Sequence, residues 1–439
     1  MSAALESIAL NGITSAAALD AAAASLLDGS NTSRVFWAFY PRALALGETS
    51  KFNILSRFAS AAAQAWGKKT YTLQSFDAAV SGVSAMTPLD DLADVGSAAQ
   101  LCTESTDPVA DWADEDPMTW YIRANALSLT DGSMNITYFE GEDGFDITGE
   151  SAPVYTFALA LWIREWNDGS HDYISFRTTK GGGFYPDAGD VAPDNTKRAI
   201  TWHPTFPGGL NGSGALTSGA GIKPYLFASA STGITKARLM TAYEGLWNDC
   251  DTRWLLRMWQ LRHWNLENSG IAEGCTSYNF QYAAALGETG VKRVLLTAAQ
   301  AANLVVGSTV SVGEKGDNSS VDRSGAYMRD LADLVKIASI ETVTVSGTEY
   351  AAVNLDTDDT FNTTTTTYIS TMPWHSGSTE ALPGHKDGCV HSLTAGKGPL
   401  RVAGVEVMDG AYAVGLDPLY QVTANATSGF DYAAYECRD

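Results

Sequence analysis

The sequence predicts a mixed α+β protein that is mainly antiparallel β, with an Ala-rich helical arm at its N-terminus. Apolar residues recur at helical spacing in the first part of the chain, whereas several later segments alternate with a period of two. A Trp-rich stretch, residues 233–282, separates two β-rich regions. We therefore expect a helical anchoring and oligomerisation arm (1–95), an acidic linker (96–117), a β-rich domain with a long Gly-rich loop (118–232), a Trp-rich helix pair (233–283) and a second β-rich domain (284–439).

The N-terminal arm contains stretches that are compatible with helices at residues 16–27, 52–66 and 73–83. An aromatic patch at residues 34–46 lies between the first two and is broken by Pro41. Small residues allow close contacts between helices, so the arm suits oligomerisation or docking. A small helical domain is the alternative interpretation.

The segment after the arm is rich in carboxylates and contains Pro108 and Pro117. We interpret it as an acidic linker. A calcium-binding loop is the alternative, because calcium needs several oxygen ligands close together, but the spacing does not match an EF-hand loop. The acidic residues are Glu104, Asp107, Asp111, Asp114, Glu115 and Asp116.

The first β-rich domain is predicted to form an antiparallel sheet. Turns at Asp131-Gly132 and Asp168-Gly169 separate its alternating segments. The long Gly-rich loop at residues 181–221 has few apolar runs, which is typical of a functional loop or of one packed against a partner. The predicted strands are residues 119–129, 135–140, 155–166 and 172–177.

The Trp-rich segment predicts two helices. The second is expected to begin near Asp249 or Asp251, either of which can cap it, and to stop near Gly270. The four Trp residues exceed what one helical stripe can bury, so the pair should pack between two layers as a structural core. A Trp-lined ligand groove is the alternative. The first helix is inferred from Leu239, Met240, Tyr243, Leu246 and Trp247, and the remaining Trp residues are Trp254, Trp259 and Trp264.

The second β-rich domain is inferred from segments rich in β-branched residues, and a hairpin turn is expected at Ser346-Gly347-Thr348. A short helix is expected at residues 326–334, and the Thr tract at residues 363–367 is expected to be an exposed edge or loop. The predicted strands are residues 291–296, 304–312, 335–345, 350–355, 367–372, 400–408 and 411–416.

Charge and composition exclude several classes of protein. The chain has 28 Lys and Arg against 50 Asp and Glu, a net charge of −22, and no cluster of cations, so we expect no binding to nucleic acid or to an anionic membrane. It has no long apolar span and no basic signal-like start, so we expect synthesis in a bacterial cytoplasm. The five scattered cysteines indicate reduced thiols.

The sequence contains no motif for phosphate, dinucleotide or hydrolase chemistry, and we predict no catalytic, cofactor-binding or metal-binding residue. His385, Cys389 and His391, with His375 upstream, could bind zinc, but an ordinary surface loop is the favoured interpretation.

Two acidic residues next to tryptophans, Glu165 and Glu244, are candidates for glycoside hydrolysis. Glutamate beside tryptophan is common in any Trp-rich chain, so we do not predict an enzyme.

Four stretches of the chain resemble, in order, a family of predicted virion proteins from tailed phages and prophages of gut bacteria. They are residues 252–282, 288–313, 370–377 and 402–419, within a resemblance that covers about residues 230–420. The resemblance implies a structural or host-recognition role in the virion: a homo-oligomeric tail fibre or adhesin, with a trimer as the expected state. It implies no cofactor and no catalytic residue. The arm would contact other virion proteins, and a glycan or protein of the host surface would be the further partner. A capsid or head-surface decoration protein and a glycan depolymerase with Trp-lined subsites are the alternatives.

Overall fold

The chain is an α+β protein, mainly antiparallel β, as the sequence predicts. The computed structural model describes residues 3–27, 31–76, 84–95, 118–192, 194–226, 228–268, 270–314, 326–381, 388–389, 394, 396–408, 418–425 and 429–436. Within these ranges, no helix has the length and apolar character needed to cross a bilayer. The acidic segment 96–117 and the predicted strand at residues 411–416 lie outside the described residues.

Four helices form the N-terminal part: α1 (Ala3–Leu10), α2 (Ala16–Leu26), α3 (Thr32–Ala45) and α4 (Lys51–Ala65). Each of α2, α3 and α4 begins after a residue whose side chain accepts a backbone N–H of the first turn, at Ser15, Asn31 and Ser50. The expectation that Pro41 breaks the aromatic patch is wrong, because α3 continues through it. Burial of a large aromatic face of α3 offsets the backbone hydrogen bond that proline removes.

Two antiparallel sheets follow, with strand orders β2-β1-β7-β6-β8 and β4-β3-β5-β9, and β10 pairs with β11. The predicted helix at residues 73–83 is wrong, since its described part belongs to β1, which pairs with β7. The strand bounds are β1 (Tyr71–Phe76), β2 (Thr87–Asp90), β3 (Tyr121–Ser128), β4 (Met134–Phe139), β5 (Val154–Leu159), β6 (Trp162–Asn167), β7 (His171–Arg177), β8 (Tyr185–Pro186), β9 (Ile200–Pro204), β10 (Gly208–Leu210) and β11 (Leu216–Ser218).

Two further expectations for this region need correction. Residues 155–166 are not one strand, because the chain leaves β5 after Leu159 and enters the other sheet as β6 at Trp162. The Gly-rich stretch 181–221 is not simply a loop, since it contains β8 to β11. The turns at Gly132 and Gly169 are confirmed, and both glycines have the positive φ that such turns favour.

The helices and both sheets share one hydrophobic core. Phe36 of α3 lies 5.5 Å from Trp120 and 5.3 Å from Phe139 between ring centroids, which places the helical layer directly on β3 and β4. The same core includes Trp254 and Trp259, which are buried, and residues 400–405 near the C-terminal end. The interpretation of these tryptophans as structural core is therefore confirmed.

The Trp-rich segment contains a short helix, α5 (Ala230–Ala237), and a long one, α6 (Asp249–His263). The predicted helix through Leu239–Trp247 is wrong, because the chain turns after α5. The cap of α6 is Asn248 and not an aspartate, although Asp251 completes a reciprocal capping box with it. The helix ends well before Gly270, at Trp264, whose φ of 51° ends the helical turn.

Six strands between residues 281 and 370 form a closed barrel with strand order β12-β17-β14-β15-β16-β13. The Ala285 N–H donates to the Leu295 carbonyl at 2.8 Å, and a bridge between Leu286 and Leu295 joins the first strand to the last. Its strands are β12 (Gln281–Ala283), β13 (Arg293–Leu296), β14 (Thr309–Glu314), β15 (Ala332–Val345), β16 (Thr348–Leu355) and β17 (Thr367–Ser370), with α7 (Ala298–Ala301) before β14.

The barrel confirms the predicted hairpin turn, where Ser346 and Gly347 both have positive φ. It corrects the helix expected at residues 326–334, which is only a 3-10 turn at Ala326–Arg329 before β15 begins. The Thr tract is not wholly exposed, because Thr363 and Thr367 are buried. The remaining strands are β18 (Gly388–Cys389), β19 (Leu400–Val402), β20 (Val405–Val407), β21 (Pro418–Asn425) and β22 (Gly429–Glu436), so residues 400–408 are a hairpin and not one strand.

A buried charge cluster joins the C-terminal hairpin to the first core. The guanidinium of Arg123 on β3, only 1% exposed, pairs with Glu140 and, at 2.6 Å, with Glu380. Arg401 of β19 pairs with the same Glu380. Because removing a buried guanidinium leaves carboxylates without a partner, this cluster holds Glu380 and Arg401 against β3.

Candidate functional site

The outer face of the sheet β2-β1-β7-β6-β8 carries aromatic and basic side chains. Successive side chains of a β-strand point to opposite faces of the sheet. Ile163 of β6 lies in the core, where it is 3% exposed, so Trp162 and Arg164 lie on the other face. The register places Trp166 opposite Tyr173 and Trp162 opposite Arg177. We call this set the aromatic face: Trp162, Arg164, Trp166, Tyr173 and Arg177.

The rings of the aromatic face are held in a fixed arrangement. Trp166 and Tyr173 stack with centroids 4.8 Å apart and planes within 1° of parallel, and the Arg164 guanidinium lies 4.6 Å from the Trp166 ring centroid. The Tyr173 hydroxyl accepts from Gln74 Nε2 at 3.0 Å and donates to Asp168 Oδ2 at 2.7 Å. That donated bond lowers the pKa of Asp168 and raises the pKa of Tyr173. The stack therefore fixes the positions of Trp166, Tyr173 and the Arg164 guanidinium relative to one another.

Cations without carboxylate partners lie on the same face. Arg164 and Lys180 are exposed. Among the described residues neither forms a salt bridge, and the charged group of each lies near an aromatic ring. The Lys180 ammonium is 5.8 Å from the Trp162 ring centroid. Arg177 donates to the Gly67 carbonyl at 3.0 Å, and the residue that follows Gly67 in the chain is the exposed Lys68. In a chain with net charge −22, this grouping makes a local positive surface.

A glycine loop, residues 180–184, runs along the edge of the aromatic face. A Cβ at Gly181 would collide with the Arg177 guanidinium, and one at Gly183 would lie 3.4 Å from Arg164 Nε at a φ of +77°. Gly182 has open space around it. The N–H groups of Gly182 and Gly183 donate to no acceptor within the described ranges. Because Gly181, Gly182 and Gly183 have no side chains, the exposed backbone donors of Gly182 and Gly183 stay accessible beside Arg164.

A titratable lysine lies beneath the face. The Lys197 ammonium is 5.5 Å from the Trp162 ring centroid and donates to the carbonyls of Ala160 at 2.5 Å and Arg198 at 3.0 Å. Burial lowers the pKa of Lys197 to about 8, while burial raises the pKa of the nearby carboxyl of Asp190. Lys197 and Asp190 are thus a pair of groups with strongly perturbed pKa values, and the lysine lies next to Trp162.

The arrangement can hold a ligand that combines flat apolar surfaces with negative charge. Aromatic faces are electron-rich and attract the polarised C–H groups of a sugar ring. The guanidinium of Arg164 and the ammonium of Lys180 can pair with an anion, which the free loop amides can also contact. The groups described on the face are therefore suited to binding such a ligand.

The glycosidase candidates have separate structural roles. Glu165 is exposed, and it accepts from the Tyr185 hydroxyl at 2.6 Å and from Arg257 at 3.4 Å. Glu244 is buried, and it accepts from the Ser128 N–H at 2.9 Å and from the Tyr155 hydroxyl. The described contacts do not bring the two carboxylates together as the flanking acids of a glycosidase require.

The candidate metal ligands are not brought together in the described part of the structure. His375 Nε2 is 3.0 Å from Asp333 Oδ2, and burial lowers the pKa of the histidine. His385 and His391 lie outside the described residues, as does the acidic segment considered for calcium. Within the described part of the chain, no group of three or more potential ligands is placed to hold a metal ion.

A buried polar chain lies under α6. His203 Nδ1 is 2.7 Å from Asp251 Oδ1, its Nε2 is 3.1 Å from Thr201 Oγ1, and its ring stacks on Trp254 at 4.0 Å. The order Thr–His–Asp resembles a catalytic triad, but all three side chains are buried. The adjoining cavity, lined also by Cys250, has a volume of about 20 Å³, room for about one water molecule. We interpret this chain as core polar groups satisfying one another.

Sequence reasoning did not find the aromatic face. It predicts only a long Gly-rich loop at residues 181–221, and it considers Glu165 instead of its neighbours Arg164 and Trp166. The available signal was the alternation in residues 162–166, which places Trp, Arg and Trp on one side of a strand and isoleucine on the other.

Comparison of the chain with protein-family models, with curated proteins and with solved structures gives no match.

Proposed function

We propose that this protein is a bacteriophage virion structural protein, a homo-oligomeric tail fibre or adhesin that contributes to attachment to the host. The observation that carries the proposal is the aromatic face, in which Arg164, Trp166 and Tyr173 form a preorganised binding surface beside an open glycine loop. The resemblance of about residues 230–420 to phage virion proteins supports the same role.

A sugar of the host surface is the partner that this surface fits. The stacked rings offer apolar area with little loss of side-chain entropy, since their positions are already fixed by Gln74 and Asp168. Exposed cations add attraction for charged cell-surface polymers. The absence of paired acids on the face favours recognition over cleavage.

The N-terminal part of the chain offers a surface for other virion proteins or for further copies. Trp37 on α3 and Tyr138 on β4 are 37% and 42% exposed, and Leu44, also on α3, is 40% exposed. The backbone at Gly141 and Gly144 approaches the rings of Trp37 and Tyr138 closely. Exposed aromatic side chains are enriched at protein interfaces, so we assign this region to contacts within the particle.

Two measurements test the proposal. Light scattering of the expressed chain should give an oligomer, with a trimer as the expected mass, and cryo-electron microscopy of the particle should show the chain at the tail. A monomer that occurs in no particle would refute the proposal. Many copies on the head would replace the tail role with decoration of the capsid.

The attachment role is tested separately with mutant particles. Phage that carries Trp166→Ala should adsorb to its host more slowly than phage that carries Lys336→Gln, an exposed substitution on the barrel. Equal adsorption rates of the two phages, with equal incorporation of the protein, would remove the aromatic face from attachment.

A further inference from the structure

We propose that the aromatic face binds a carboxylated polysaccharide, with Arg164, Lys180 and the glycine loop holding the carboxylate of a uronic acid residue. The choice of a cell-surface polymer as the natural ligand rests on the proposed function. The anion subsite itself rests on the geometry of this sheet face.

Uncompensated charge is the first argument. Several cations in the described part of the chain pair with a carboxylate, as Lys51 does with Glu142 at 2.6 Å. Arg164 and Lys180 have no such partner among the described residues, and both are exposed. In a chain with 50 acidic residues, cations that stay free of them at a fixed surface are available for an external anion.

The glycine loop supplies the second argument. The backbone at Gly183 lies so close to Arg164 Nε that an added Cβ would be 3.4 Å away, and the amides of Gly182 and Gly183 donate to no described acceptor. The Arg164 guanidinium and the backbone N–H groups of the glycine loop are therefore neighbouring donors. A carboxylate has two oxygens in one plane and can accept from both, which a neutral hydroxyl cannot do.

Strand spacing supplies the third argument. Trp162 and Trp166 lie two residues before and two residues after Arg164 on the same face of β6, about 7 Å away along the strand in each direction. A sugar whose carboxylate contacts Arg164 therefore has an aromatic ring within reach for itself or for the next sugar of the chain. At the turn end of the hairpin, Asp168 and Asp172 accept hydrogen bonds from Tyr173 and Asn167, and among the described residues neither forms a salt bridge with Arg164.

The test compares two oligosaccharides that differ only in the carboxylate. The expressed full chain is titrated by calorimetry with an α-1,4-linked galacturonate tetramer and with the α-1,4-linked galactose tetramer. We expect binding of the acidic tetramer that weakens as salt is raised, and binding at least about tenfold weaker for the neutral one. Equal affinity for both tetramers, or no detectable binding of the acidic one, would overturn the proposal.

Matched variants test whether the named residues hold the carboxylate. Arg164→Gln and Lys180→Gln should each weaken binding of the acidic tetramer about tenfold or more and leave the neutral one unchanged. Lys336→Gln is the control, since Lys336 is exposed on the barrel and belongs to neither the aromatic face nor the glycine loop. Undiminished binding by Arg164→Gln would overturn the assignment.

A third titration separates this inference from its closest competitor. A thymidine oligonucleotide carries phosphodiesters and flat bases and would also be attracted by cations and aromatic rings. Tighter binding of the oligonucleotide than of the acidic tetramer would overturn the proposal in favour of a nucleic-acid surface. The location of the protein in the particle is measured independently, so failure of the sugar titrations and failure of the virion role are distinguishable.

Discussion

Replacing Lys197 with methionine should remove most of the pH dependence of the unfolding free energy between about pH 8 and 10. Burial lowers the pKa of Lys197 to about 8 in the folded protein, from an ordinary value of 10.5. Between these values the unfolded chain binds more protons than the folded one, so the unfolding free energy rises with pH. Below about pH 8 lysine is protonated in both states, and the cost of burying the ammonium is fully present.

The size of the effect follows from the separation of the two pKa values. From about 8 to 10.5, at about 1.4 kcal/mol for each pKa unit, the stabilisation gained across the whole window is about 3 kcal/mol. The pKa of Tyr185 is raised to about 12, so this hydroxyl makes the unfolding free energy fall with pH, and it does so only above about pH 10. Measurements that stop near pH 9.5 therefore report mainly on Lys197.

Urea unfolding at several pH values between about 7 and 9.5 tests this prediction. The unchanged protein should become more stable by about 2 kcal/mol across this range, and Lys197→Met should show a nearly flat profile. The absolute stability of the variant at pH 7 is less informative, because the lost hydrogen bonds to Ala160 and Arg198 oppose the gain from removing a buried charge. Lys336→Met, at an exposed position, should keep the rise; a rise of the same size in Lys197→Met would refute the reasoning.

Three further predictions concern stability. Arg123→Met should lower the unfolding free energy by about 1–3 kcal/mol in urea, because the partly exposed carboxylates of Glu140 and Glu380 lose a hydrogen-bonding partner while Glu380 keeps Arg401; an unchanged unfolding midpoint would contradict a structural role for the cluster. Asn248→Ala should cost about 1 kcal/mol by removing the cap of α6, and an unchanged midpoint would mean that the cap is dispensable. Gly183→Ala should cost about 1–2 kcal/mol because of its positive φ, whereas Gly182→Ala should be near neutral; equal effects would contradict the described loop conformation.

The sequence determined the elements in which a local pattern records burial of one face. The hairpin of β15 and β16 could be predicted because β-branched residues flank Ser346-Gly347. Both of these residues have the positive φ that a tight hairpin turn favours. Helix α4 could be predicted because apolar residues at helical spacing follow Ser50, a strong capping residue. Fold class and these boundaries are local properties, so they needed no knowledge of neighbours.

Only the tertiary structure decided the elements whose conformation depends on distant partners. Residues 239–247 have helical spacing, yet Glu244 bonds to the Ser128 N–H and to Tyr155, and Thr241 bonds to the Ser128 carbonyl. These long-range hydrogen bonds outweigh a helix propensity of a few tenths of a kcal/mol per residue. Strand β1 likewise pairs with β7, about a hundred residues later in the chain, a choice that its own sequence does not contain.

The candidate site shows the same division. Alternation in residues 162–166 determines that Trp162, Arg164 and Trp166 share one side of a strand. It does not determine that Tyr173 stacks on Trp166, that the glycine loop lies beside Arg164, or that the acidic neighbour Glu165 turns to Arg257 instead. Periodicity specifies which face of an element is buried, but the partner on the other face is set by packing between segments distant in sequence.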